Sequence, residues 1–177
     1  MIDRRRAPRT DGDRGAVLVE FALVLPVLAM LVFGMLSAGI AWNQNLAMAQ
    51  GTRVGGRYAA TLPTKNYASM DAYLDAVATR VVAASEGSLN TGVVGRVVCV
   101  AYVSGGATAL DKTRQRTETG STVTRADSSC FTDGQATTEK RIQIMTERSG
   151  TLEAGVWSKS ITLHQQLVFR YEISDGL

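Results

Sequence analysis

The sequence predicts an α+β protein: a long N-terminal transmembrane helix, a second helix, then a small antiparallel sheet. Three observations carry that prediction. Ala16 to Trp42 is an apolar run of 27 residues with one charge, Glu20. Residues 70–84 place apolar side chains at helical spacing. The C-terminal stretch alternates apolar and polar residues with period two.

Residues 1–15 are polar, contain Pro8 and Gly12, and read as a disordered leader. The run from Ala16 to Trp42 would form a helix of about 40 Å, against a hydrocarbon core of about 30 Å. An ordinary cleaved secretory signal is a poorer fit. Its apolar region is usually about 7–15 residues and ends in a small-residue cleavage site, whereas the nearest candidate here, Ser37-Ala38-Gly39, lies inside the run. Pro26 removes one helical hydrogen bond and favours a kink. Gly34 and Gly39 are small enough for another helix to approach, and Trp42 ends the run as an interfacial aromatic does.

The helix is expected to continue to Ala60, with Ala47, Val54 and Tyr58 as a rough stripe and Arg53 and Arg57 sharing a face with Gln50. Gly51, Gly55 and Gly56 weaken it, and Leu62-Pro63 stops it. A second helix spans Met70 to Ala84. Ser69 is its N-cap, and Tyr73, Leu74, Val77, Val81 and Ala84 form its apolar face. Val93 to Val103 reads as a buried strand. Residues 107–138 read as a long loop with one short strand near Thr122–Arg125. Arg141 to Thr146 alternates as a strand. In the last strand Ile161, Leu163, Leu167, Phe169, Tyr171 and Ile173 share one parity, interrupted by Gln165.

The net charge is +3 over 177 residues. Five Arg and three Asp in the leader supply +2 of it, so the remainder is near neutral and gives no footprint for nucleic acid. Beside an apolar span, the Arg cluster sets orientation by the positive-inside rule, which leaves residues 43–177 as an extracytoplasmic α+β domain. Cys99 and Cys130 then lie where a disulfide is permitted. Closing a loop of about 30 residues would stabilise by about 3–4 kcal/mol on the chain-entropy argument.

The segment Arg14-Gly15-Ala16-Val17-Leu18-Val19-Glu20-Phe21-Ala22-Leu23 resembles a type IV prepilin cleavage site. With Pro26 and the later Gly51-Thr52-Arg53-Val54-Gly55-Gly56-Arg57-Tyr58-Ala59-Ala60, it resembles the TadE/TadF family of pilin-like proteins of the tight-adherence (Flp pilus) machinery. The resemblance is specific over residues 14–61. It implies that a membrane-embedded aspartyl prepilin peptidase cuts between Gly15 and Ala16. Glu20 is then the acidic residue five places into the mature chain, and Phe21 the aromatic position after it. Cleavage would create a positive amino terminus at Ala16, about one turn from Glu20, and the carboxylate would offset it on the same or a neighbouring chain.

Catalytic motifs are missing from the sequence. Glu86, Asp111, Glu118, Asp127, Asp133 and Glu139 are scattered through loop-like sequence, and His164 sits on the polar parity of a strand. Val54-Gly55-Gly56-Arg57 lacks the lysine and preceding strand of a phosphate loop, and one His with two distant Cys makes no zinc site. The expectation is a non-enzymatic, single-pass protein of the bacterial cytoplasmic membrane. It would act without cofactor, metal, nucleic acid or small-molecule substrate, and its partners would be the membrane, the prepilin peptidase and other pilin-like subunits. The rival is a membrane-anchored extracytoplasmic binding protein that never enters pili.

Overall fold

The computed structural model describes residues 11–104, 112–126, 129–134 and 139–171. Helix α1 (Asp11–Thr61) is 51 residues long, about 75 Å. It runs through Pro26 as one element and stops where Pro63 forbids continuation. Its described part begins at Asp11, so Asp11 to Arg14, read above as disordered leader, are helical in backbone. The rest of the leader lies outside the described residues.

A short 3-10 turn (Thr64–Asn66) leads to helix α2 (Met70–Ala83). The Ser69 hydroxyl accepts the Ala72 amide at 3.2 Å, as expected of the N-cap. Tyr73, Leu74, Val77, Ala78 and Val81 are buried. The helix ends at Ala83, and the turn beyond it places Glu86 and Gly87 at positive φ.

Five strands follow: β1 (Val97–Val103), β2 (Lys112–Arg116), β3 (Thr122–Ala126), β4 (Arg141–Ala154) and β5 (Trp157–Arg170). They form one sheet in the order β3-β2-β1-β4-β5, with every neighbouring pair antiparallel. Both helices lie against it, α2 over β1 and β2 and α1 over β4 and β5. Met48, Tyr73, Leu74, Val77, Val98, Val100, Ile142 and Ile144 fill the space between.

The differences from the sequence reading have physical causes. β1 begins at Val97, because Val93–Arg96 is a turn carrying Gly95 at φ +65°. The supposed loop at 107–138 holds two strands rather than one. β2 reads Lys-Thr-Arg-Gln-Arg and shows no apolar alternation, yet it pairs with β1 in full register. Its cohesion comes from long polar side chains: Arg114 Nη2 donates to Asp75 Oδ2 of α2 at 2.6 Å, and Arg116 Nη2 donates to the Asp75 carbonyl at 3.0 Å. β4 and β5 are each 14 residues long, more than twice the expected length of β4. In β5 the odd positions from Ile161 to Phe169 are the more buried ones, as the parity predicts. The interruption at Gln165 is resolved by α1, where Asn45 Oδ1 accepts the Gln165 amide at 2.9 Å. Of the final residues, Tyr171 is buried and Ile173 lies outside the described set.

Candidate functional site

α1 has two unlike halves. From Val17 to Phe33 nearly every large apolar side chain is exposed, including Leu18, Phe21, Leu23 and Leu31. The most apolar 18-residue window has a mean hydropathy of 2.7, and none of it is buried. A helix apolar on all sides and exposed over most of its surface has the character of a membrane span. Gly15, Ala16, Glu20 and Phe21 all lie on this bare half, and a Cβ at Gly15 would meet nothing within 4 Å. Ala16 and Glu20 are four residues apart, hence on one helix face.

The outer half buries a face through Ala41, Ala47, Met48, Thr52 and Ala59. Val54, placed in the buried stripe by the sequence reading, is 38% exposed; the true stripe passes through the glycines instead. A Cβ at Gly51 would sit 2.7 Å from the Val81 carbonyl of α2. At Gly55 it would collide with the Val81 side chain, and at Gly56 with the Phe169 ring of β5. The three glycines therefore let α1 approach α2 and β5 closely, a role that outweighs their cost in helix propensity. Gln50, Arg53 and Arg57 face outward.

The β4–β5 hairpin reaches back along α1 beyond the rest of the sheet. Ser37 Oγ donates to the Glu153 carbonyl at 2.9 Å and accepts the Glu153 amide at 3.0 Å. A Cβ at Gly34 would touch Ala154 at 3.6 Å, and one at Gly155 would touch Met30 at 3.5 Å. Gly34, offered by the sequence as a landing site for another helix, is thus used by the chain's own hairpin, whereas Gly39 meets nothing within 4 Å. Between α1 and β4 runs an open groove of about 610 Å³, bordered by Ser37, Ile40, Gln44, Arg148 and Ser160. Arg148, its basicity lowered by burial, donates to the Ser88 carbonyl at 3.1 Å.

Cys99 and Cys130 are joined in a disulfide. Cys99 projects on the side of β1 opposite Val98 and Val100, so the segment at 129–134 covers that face and β1 is buried on both sides. The same segment is held by charge. Asp133 Oδ2 and Oδ1 accept Arg141 Nε at 2.6 Å and Nη2 at 3.2 Å, Gln143 Nε2 donates to Asp133 at 2.6 Å, and Gln143 Oε1 accepts the Cys130 amide at 3.1 Å. Sequence alone gave no signal for this network beyond the bridge. The other carboxylates do not converge: Glu118 accepts the Gly95 amide at 3.0 Å, Glu139 lies 3.9 Å from Arg170, and Asp111 and Asp127 lie outside the described residues. His164 is exposed on β5. Among the described residues no group of three or more His, Cys, Asp or Glu could hold a metal ion.

These features define a class: an α+β domain carried on one long helix whose free N-terminal half fits a single-pass membrane anchor. Residues 15–57 match the family model of TadE-like proteins, a stretch of 43 of the 177 residues. It begins at Gly15 and ends among the glycines that seat α1 on the domain. No curated protein and no solved structure matches the chain.

Proposed function

We propose that the protein is a pilin-like, TadE/TadF-type minor subunit or assembly factor of the tight-adherence (Flp pilus) machinery. It is cut after Gly15 by a prepilin peptidase and then works by assembly rather than catalysis. The observation that carries this reading is the coincidence of the TadE-like match with the bare half of α1, which presents Gly15, Ala16, Glu20 and Phe21 clear of the domain. Gly15, just before the proposed cut, costs about 1 kcal/mol of helix stability relative to alanine. The domain, residues 43–177, lies on the outer side of the cytoplasmic membrane. After cleavage the Ala16 ammonium lies about one turn from Glu20, and the pair neutralises two charges at the membrane face, within one chain or between neighbours.

Mass spectrometry of the mature protein tests the cut. The expected N-terminus is Ala16, and a terminus still at Met1 in cells with an active prepilin peptidase would sink the processing claim. Glu20→Gln is expected to leave membrane insertion intact and to reduce assembly. Replacing Gly15 separates this reading from a membrane-anchored binding protein: loss of pili supports the first, and unchanged function supports the second.

A further inference from the structure

The hairpin that tracks α1 enters the stretch of helix expected to be in lipid. β4 pairs with β1 only as far as Glu147, and its last residues continue with β5 alone. Counted from Ala16, about 30 Å of hydrocarbon ends near Leu36. Gly34, which meets Ala154, is then about 3 Å inside that boundary, and Met30, which meets Gly155, about 9 Å inside. The tip, Ala154-Gly155-Val156-Trp157, carries no charge. Val156 is 88% exposed and Trp157 is 54% exposed. Glu153 and Lys159 stand just behind them, paired across the hairpin with Ser158 and Leu152.

We propose that this tip is a second membrane contact, inserted into the outer leaflet beside α1, so that the spanning segment ends near Leu36 instead of Trp42. The reading rests on α1 being a membrane anchor. Three features favour acyl chains as the occupant. The exposed apolar residues are continuous with the exposed face of the span. The depth places Val156 in hydrocarbon and Trp157 close to the interface, where tryptophan concentrates. The backbone is also prepared for lipid: the tip is a closed two-residue turn with Gly155 at φ +67°, and Ser37 satisfies both the amide and the carbonyl of Glu153. Two membrane contacts, helix and hairpin, fix the tilt of the domain over the bilayer where one helix would let it swivel.

Tryptophan quenching in the full-length protein tests this. The chain has two tryptophans, and Trp42→Phe leaves Trp157 as the reporter. In vesicles of phosphatidylcholine and phosphatidylglycerol with brominated acyl chains, Trp157 is expected to lose most of its emission to bromine and little to aqueous iodide. Quenching by iodide without quenching by bromine overturns the proposal. Shielding from both overturns it too, by showing that a neighbouring subunit covers the tip. Adding Val156→Lys, at a position outside the core, is expected to bring Trp157 within reach of iodide, and unchanged bromine quenching in that variant counts against insertion. Phe33→Trp in a Trp42→Phe/Trp157→Phe background keeps the two readings apart. If it reports lipid while Trp157 reports water, the tip proposal fails and the anchor stands. If it reports water, the anchor reading fails and takes the tip proposal with it.

Discussion

The two halves of α1 are one continuous helix, yet they use opposite side chains for opposite ends. The inner half carries Leu, Val, Phe and Met on every side and leaves them exposed. The outer half meets protein through Ala, Thr and Gly, and its buried stripe holds one large side chain, Met48. Bulk and apolarity mark the surface left for lipid. Small size marks the surface that binds the domain, because only close backbone approach lets one helix fill the groove between α2 and β5. Hydropathy alone therefore finds the membrane half and overlooks the packing half.

The contrast holds only while the sheet under the outer half keeps its shape, and the largest expected effect lies there. Asp133 and Arg141 are 5% and 10% exposed and form a two-point ion pair that also engages Gln143. Asp133→Ala removes the carboxylate that pairs with the Arg141 guanidinium, whose Nη1 keeps its bond to the Glu139 carbonyl at 3.2 Å. The expected loss is about 3–5 kcal/mol, read by denaturant unfolding of the domain. A loss below about 1 kcal/mol would show that solvent reaches Arg141 easily and that the disulfide alone pins the segment. The helical signal of the inner half in micelles should not change, since nothing there touches Asp133.

A matched pair of glycine substitutions tests the contrast directly. Gly51→Val puts a side chain 2.7 Å from the Val81 carbonyl, and a backbone atom cannot swing aside. The strain is expected to cost about 1–3 kcal/mol, partly offset by better helix propensity. Gly39→Val meets open space and is expected to leave unfolding unchanged. Equal effects at both positions would erase the distinction between the halves.

Ser37 marks the border, and its effect is expected to be smaller. Its hydroxyl joins the hairpin backbone to the helix at 2.9 and 3.0 Å, and the Gly34 carbonyl, 3.2 Å away, competes with Glu153 for its single proton. Ser37→Ala is expected to cost about 0.5–1.5 kcal/mol. The loss should appear as faster amide exchange at Glu153 while the amides of β1 stay protected. Uniform acceleration across the sheet would mean that the hairpin and the sheet unfold together.

Much of this layout is legible in the sequence, and three of the failures share a cause. The span, α2 with its Ser69 cap, and the parity of β5 follow from local periodicity. The disulfide follows from the compartment that the anchor implies. The strand β2 escapes, because Arg114 and Arg116 stabilise it through Asp75, 39 and 41 residues away in sequence. The glycine stripe of α1 escapes because a residue with no side chain contributes nothing to an apolar pattern. The reach of the hairpin escapes because the residue that Gly155 meets, Met30, lies 125 residues earlier in sequence. In these three cases the deciding contact is distant in sequence, and at least one of its members is polar or small.

The smallest expected effect is confined to alkaline pH and reports on the far end of the outer half alone. All five tyrosines of the chain gather there, at 58, 67, 73, 102 and 171, and the inner half has none. Tyr58 and Tyr67 share a hydroxyl contact of 2.6 Å, and Tyr73 donates to the Ala59 carbonyl at 2.5 Å, where α1 is about to end. The hydrogen bond that Tyr67 shares with Tyr58, with burial adding to it, pushes the Tyr67 phenol up to about 12, while burial pushes Tyr73 and Tyr102 upward. A raised acid keeps its proton in the folded state longer than in the unfolded one. Its contribution is therefore fully present below about pH 10 and is lost as pH climbs from there toward 12. Tyr67→Phe removes one such group, so its stability should fall less steeply than that of the parent above pH 10. A parallel decline in both proteins would assign the alkaline loss to the more deeply buried Tyr73 and Tyr102. In either case the anchor half should stay helical in micelles through the same titration, since its part of the helix contains no tyrosine to deprotonate.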